Sequence, residues 1–400
     1  MIIDINLESA QDKIINSVSV LPEETIDLME SAGRVISQDI TAYCSLPDCP
    51  QSAVDGFAIH ESDRLTGGKV ILREYLQAGD VPALPLAPGE AVGVVTGGPL
   101  PGGTAAVVMC EQVRVWQDEI ILPGQIKSGS NIKRAGEDFH RGSLLAARGT
   151  CISPALIALL AAFGYEKVRV FCRPRVSVLS LGRQIVPFNT SPHPGQLRDS
   201  NGPLLASLIH HDGGKITDVK LAGSNNCNEV RNLMLKLLQD SDVVITTGGT
   251  FSGEFDEVRS LFSNINAKML FWGTQIQPGR HNAAGIINSI LIISLSGNPA
   301  SCFVGYHVLA SPVIRALQGM NPYPKYYSAL CTNSFAKKTG TRRFVRGHAA
   351  CDSEGWKVTV LPGQKPSMIR SLIECNALID LPAGHAPFDA GTQVSIMLIS

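Results

Sequence analysis

Three apolar runs that each close on glycine constrain this chain more than any other feature. They are VSVLSLG at 176–182, DVVITTGG at 242–249 and LIISLSG at 291–297. Each is too short for a helix and is rich in β-branched residues, so each predicts a strand buried on both faces. Between and after them lie segments with helical spacing at 204–211, 229–239 and 302–317. In 229–239 the apolar positions are Val230, Leu233, Met234, Leu237 and Leu238. Strands alternating with helices imply parallel strands joined by crossovers. Residues 174–320 therefore predict a doubly wound α/β domain, whose ligands sit at the carboxyl ends of the strands.

A chain of 400 residues exceeds what one core spans, and its style changes along its length. Residues 7–38 read as two helices, the second over about 23–37. From 68 to 150 short β-like runs alternate with Gly/Pro turns, predicting an elongated β module. NPYPKYY at 321–327 reads as a linker, and the alternating runs GWKVTVLP and GTQVSIMLI in the tail predict a small β-barrel or sandwich. The domains drawn from this are 1–45 with 141–173 (helical and mixed), 46–140 (inserted β module), 174–320 (α/β) and 325–400 (barrel).

Balanced charge, with 34 basic and 35 acidic residues, gives no electrostatic footprint for nucleic acid. Ten cysteines form no CxxC and no zinc-finger spacing, which reads as reduced thiols, many of them buried. The start lacks the basic end and apolar run of a signal peptide, and stretches such as 154–163 are too short to span a bilayer. A cytoplasmic location without a membrane span is expected.

Glycine lets backbone N–H groups approach a ligand, so Gly182, Gly248, Gly249 and Gly297 are candidate binding positions. SGNPAS follows a strand and opens a helix, whose free N–H groups suit an oxyanion. The same residues also make a plain turn with Pro299 at the first helical position. No GxGxxG or GxxxxGK[ST] is present. Carboxylates lie close to these turns: Glu254 and Asp256 after Gly248-Gly249, Glu137-Asp138 after Gly136, and Asp55 before Gly56. Such oxygens hold Mg²⁺ beside a phosphate, or serve as caps and surface charge.

Taken in order, the segments LPDCPQSAVDGFA, VTGGPLPGGTAAVVMCE, NIKRAGED, DVVITTGGTFSGEFD and LSGNPAS, with RRFVRG and PSMIRSL in the tail, resemble the molybdopterin molybdenumtransferase family and the matching C-terminal domain of gephyrin. The resemblance covers nearly the whole chain. It implies a four-domain subunit that forms a homodimer, with a site between the α/β domain of one subunit and the β module of the other. It implies adenylylated molybdopterin and molybdate as substrates, Mg²⁺ as metal, and molybdenum cofactor and AMP as products. By motif match, Asp55, Thr96, Asp138, Asp256 and Gln184 fall on catalytic positions. Gly182, Gly248, Gly249, Ser296, Gly297, Asn298, Pro299, Ser301 and Arg280 fall on cofactor-binding positions, and Glu254 and Asp256 on metal positions. Implied partners are a molybdoenzyme or the adenylylating enzyme.

The chain departs from the family pattern in one physical direction. Where the family has Ser-Thr-Gly-Asp-Glu it has Ser180-Leu181-Gly182-Arg183-Gln184, and an amide neither takes a proton nor carries charge. Lys-Pro-Gly-Lys-Pro becomes Gln277-Pro278-Gly279-Arg280-His281, a preceding lysine becomes Gly273, and paired aspartates become Asn225-Asn226. Charges suited to oxyanions and to a metal are lost, while Arg183 and Arg280 add bidentate phosphate donors. The readings are an active transferase, an altered paralogue that binds or carries the pterin, and a scaffold using NPYPKYY as a partner site.

Overall fold

The computed structural model describes residues 3–65, 67–223, 227–249 and 257–399. The chain divides into two compact units, one made of Met1–Gln38, Arg148–Ser153 and Lys167–Ser400, the other of Asp39–Ala147 and Pro154–Glu166.

The first unit is built on a seven-stranded sheet. Its order is Ile3–Ile5, Lys268–Thr274, Ala283–Ile287, Ile290–Leu295, Val243–Gly248, Arg175–Leu181, Lys215–Ala222. The last four are mutually parallel. In Ile290–Leu295, Val243–Gly248 and Arg175–Leu181 the apolar runs are continuous because each face meets a different core, whereas Lys215–Ala222 lies at the sheet edge and is only partly buried. Val178, Ile245 and Ile293 pack with Leu205, Ile209, Val304 and Leu309 on one side. Leu179, Val244 and Ile292 pack with Met234, Leu237, Val258 and Phe262 on the other. At about 25 cal/mol per Å² of apolar surface, burial of both faces stabilises these strands.

The sheet is not wholly parallel, which corrects the reading of simple βαβ units. Ala283–Ile287 runs antiparallel to both neighbours. It joins Ile290–Leu295 through Asn288 and Ser289, both at positive φ (48° and 67°), the backbone of a tight two-residue hairpin. Helix 23–37 is also overturned. Glu23–Asp27 is a strand paired with Lys167–Phe171, followed by a short 3-10 turn at Leu28–Glu30. Ile26 faces Val168 across the pair, while Met29 is 85% exposed. Gly33 at φ +71° then turns the chain so that Val35 and Ile36 make bridges of their own. The first helix, Leu7–Ile15, forms as read, capped by the Asn6 side chain on the Ser9 N–H at 2.8 Å.

The tail closes into a five-stranded barrel of Tyr326–Cys331, Arg342–Asp352, Gly355–Val360, Ala377–Leu381 and Gln393–Leu398, because Arg342–Asp352 pairs with both Gly355–Val360 and Ala377–Leu381. Phe344, Leu378, Met397 and Ile399 leave the barrel's own interior and join the core of the α/β sheet. Ile276–Gln277 adds a parallel strand beside Arg342 and Arg343.

The second unit carries a six-stranded sheet ordered Thr104–Met109, Gly56–His60, Glu90–Val94, Lys69–Tyr75, Glu119–Ile121, Arg114–Trp116, confirming the β module in kind. Among the described residues, Pro299–Leu317 is long and apolar enough to cross a membrane, but 78% of it lies inside the fold. Its π-helical turn at Tyr306–Ala310 sits in the core. All ten cysteines are free; only Cys302 and Cys331 are buried, fewer than expected.

Candidate ligand site at the carboxyl ends of the parallel strands

A cavity of about 570 Å³ opens where the parallel strands end. Its walls come from the turns after Arg175–Leu181, Val243–Gly248 and Ile290–Leu295, from the entry to helix Asn201–His211, and from Ser367 and Ile369 of the tail. Two turns touch so closely that side chains are excluded. A Cβ on Gly297 would lie 2.9 Å from Gly248 Cα, and one on Gly248, at φ +84°, would lie 2.2 Å from the Leu181 carbonyl oxygen.

Beneath this contact lies a buried hydrogen-bond network. Asn201 Nδ2 donates to Thr247 Oγ1 at 2.9 Å and to the Gly297 carbonyl at 2.8 Å. Thr247 Oγ1 donates to the Ser296 carbonyl at 3.2 Å, and Cys302 Sγ stands 3.5 Å from the same Oγ1. Burial pushes the Cys302 thiol up to about 12, so that sulfur stays protonated. On the other side of the turn the Ser296 N–H donates to Asn282 Oδ1 at 3.2 Å. Asp199 lines the cavity and accepts the Gly202 N–H at 2.9 Å, placing a carboxylate at the N-terminal end of helix Asn201–His211, one residue ahead of its N-cap Ser200.

The tail segment is held by a buried arginine. Arg346, 1% exposed, donates from Nε to Ser371 Oγ at 2.8 Å and from Nη2 to the Gly363 carbonyl at 3.1 Å. Its burial pulls the guanidinium down to about 10, still charged at neutral pH. The Pro366 carbonyl accepts the Ala300 N–H at 3.1 Å, so one of the free donors expected at the SGNPAS helix start is already used.

In the β module the residues around Asp55 converge separately. The Ser52 backbone exchanges bonds with Gly97 and Gly98, and the Ala53 N–H reaches the Asn131 carbonyl. This sets the Asp55 carboxylate against Thr96, whose N–H and hydroxyl both donate to Oδ1, at 2.7 and 2.8 Å. These two bonds hold the Asp55 carboxyl below the usual carboxylate range. Asp138 pairs with Lys133 at 2.7 Å, and Glu137 accepts the Arg134 N–H of its own turn.

Three family models match the chain end to end. The MoeA N-terminal region (domain I and II) matches residues 5–164, the probable molybdopterin binding domain 177–316, and the MoeA C-terminal region (domain IV) 328–399. The chain is 30% identical to the molybdopterin molybdenumtransferase of Staphylococcus aureus over 404 residues, 98% of this chain and 95% of that one. The chain belongs to the molybdopterin molybdenumtransferase family. The corresponding protein of Staphylococcus epidermidis is also 30% identical, over 402 residues. The fold is similar to that of the molybdopterin biosynthesis MoeA protein of Pyrococcus horikosii, with a TM-score of 0.82 and 26% identity over 99% of each chain. Membership places the chain in molybdenum cofactor biosynthesis.

Against the family positions, Gly182, Gln184, Gly248, Gly249, Gly297, Asn298 and Pro299 line the cavity. Ser296 and Ser301 lie buried behind it. Arg280 points elsewhere, bonded to Asp4 at 2.9 Å, which also holds its pKa up. Gln277 accepts a hydrogen bond from Arg343. Glu254, Asp256, Asn225 and Asn226 lie outside the described residues. Sequence reasoning missed Asn201, Thr247, Asp199 and Ser367. Asn201 and Thr247 carry a legible signal, since a polar residue at the end of an apolar strand and another at a helix start both need partners once buried.

Proposed function

We propose that this chain inserts molybdenum into the pterin cofactor, taking adenylylated molybdopterin and molybdate as substrates and releasing molybdenum cofactor and AMP. The observation that carries this reading is the cavity at the strand ends, floored by two glycine turns that approach to backbone contact. Such a surface accepts a phosphate through backbone N–H groups, and cationic Arg183 and Arg198 line the same walls. In this reading Asp55, Thr96 and Asp138 belong to a site completed by a second copy of the chain, and the protein works as a cytoplasmic homodimer that serves a molybdoenzyme or receives substrate from the adenylylating enzyme. Mg²⁺ needs several oxygens. Among the described residues no group of three or more His, Cys, Asp or Glu side chains converges to supply them. The test is AMP release from adenylylated molybdopterin with and without molybdate. Release that molybdate does not raise overturns the reading.

A second reading, a chain that holds the pterin without converting it, is favoured by one observation. Gln184, at the position of the family's glutamate, lines the cavity and offers no proton acceptor of carboxylate strength. Tight cofactor binding in calorimetry without turnover supports that reading, and absence of binding rejects both.

A further inference from the structure

Asn201 has one atom whose role the fold alone does not explain. Its Nδ2 makes two hydrogen bonds, yet its Oδ1 is buried with no partner, and the residue is only 7% exposed. The orientation of the amide is fixed by chemistry. A carbonyl oxygen only accepts, so the group facing the Gly297 carbonyl at 2.8 Å is the NH₂. That same NH₂ donates to Thr247 Oγ1, which frees the hydroxyl proton for the Ser296 carbonyl. Two side chains thus tether two successive carbonyls, Ser296 and Gly297, from the buried side of the turn.

A trans peptide points its C=O and N–H in opposite directions, and neither peptide of this turn is cis. With the Ser296 carbonyl drawn inward, the Gly297 N–H faces outward. With the Gly297 carbonyl drawn inward, the Asn298 N–H faces outward. Gly297 and Asn298 are exposed walls of the cavity, whereas Asn201 and Thr247, which also line it, are buried. Neither N–H has a partner among the described residues. Successive N–H groups aimed at one point form an anion-binding concavity.

We propose that Asn201 is a positioning residue, which through Thr247 and the Gly297 carbonyl turns the Ser296–Gly297–Asn298 peptides so that their N–H groups meet the phosphate of the pterin substrate. This rests on the reading that the cavity takes a phosphorylated pterin. Asn201 itself does not touch the phosphate, and its action is seen as discrimination between phosphorylated and unphosphorylated ligand.

The test compares 6-hydroxymethylpterin with its monophosphate ester by isothermal titration on the full chain. Wild type is expected to prefer the ester. Asn201→Asp has no N–H to offer and sets a carboxylate against the Gly297 carbonyl, so the preference should fall by about tenfold or more while the unphosphorylated pterin binds within about twofold of wild type. Thr247→Val should lose preference in the same way, and Thr247→Ser, which keeps the hydroxyl, should retain it. Should Asn201→Asp not fold, the Thr247 pair decides alone. Full preference in folded Asn201→Asp or Thr247→Val overturns the proposal, as does an equal weakening of both ligands, which marks a general packing role. A wild type without preference removes the phosphate reading itself and the proposal with it.

Discussion

The Asp4 carboxylate stands 2.6 Å from where a side chain on Gly273 would begin, and the same carboxylate holds Arg280. Gly273 also sits at φ +79°, a region that costs residues other than glycine about 1–2 kcal/mol. The glycine is therefore not a simple vacancy where the resemblance implies a lysine.

Gly273→Lys is expected to destabilise the chain by about 1–3 kcal/mol rather than return a charge to the site. Urea unfolding checks this. If turnover is weak because charges are missing, Gln184→Glu with Gln277→Lys should raise molybdate-dependent AMP release, and adding Gly273→Lys should lower it again. A triple variant faster and as stable as the double variant contradicts the strain argument.

Gly248→Ala should be among the most damaging single substitutions of the α/β domain. Its Cβ would overlap the Leu181 carbonyl at 2.2 Å in a backbone already at φ +84°. A loss of about 2–4 kcal/mol is expected, along with pterin binding, because the strand ends must separate. Gly33→Ala is the control, with a similar φ of +71° and open space around it, and should cost about 1 kcal/mol.

Thr96→Val removes one of the two donors on Asp55 and keeps the backbone N–H. The Asp55 pKa should move part of the way back toward the ordinary value. A folded-state pKa below the unfolded one contributes stability that is present above about pH 3.9 and is lost as pH falls through the folded value. Carboxyl-carbon NMR titration reads the shift, and an unchanged Asp55 pKa counts against the hydroxyl's role.

His307 gives the opposite charge type the same sign. Burial is the main cause, and His211 adds to it, pulling the imidazole down to about 3. The unfolded chain takes up a proton near pH 6.5 that the folded chain refuses, so stability should fall as pH drops below 6.5 toward 3, by about 1.4 kcal/mol per pH unit where the difference is one proton. His307→Phe should flatten this slope between pH 6 and 4. Equal slopes for the two proteins would show that His307 titrates in the folded state as well.

What was legible in the sequence follows from how many contacts each element needs. Val243–Gly248 was readable because both of its faces are buried, which writes an unbroken apolar run. Glu23–Asp27 was not, because five residues with Ile26 as their apolar member fit a helix as well as a strand until Lys167–Phe171 supplies a partner. Ile3–Ile5 is shorter still, and its place at the sheet edge is set by Lys268–Thr274, far away in the chain. At the site, glycines marked the floor of the cavity, whereas Asn201, just ahead of the 204–211 helical segment, was passed over. Its meaning lies in Gly297, 96 positions away.

The barrel's outward-facing Phe344, Leu378, Met397 and Ile399 share a core with Phe303, Tyr306 and Leu317 of the α/β sheet. The 321–327 stretch looks like a natural place to recombine two homologues, yet a chimera joined there would mate two half-cores that never co-adapted. Mismatched side chains at that seam would leave voids, at about 24 cal/mol for each Å³. Exchange among relatives at this point is therefore limited by packing across the seam rather than by the connecting segment, and a workable graft has to carry the inner face of Pro299–Leu317 along with the barrel.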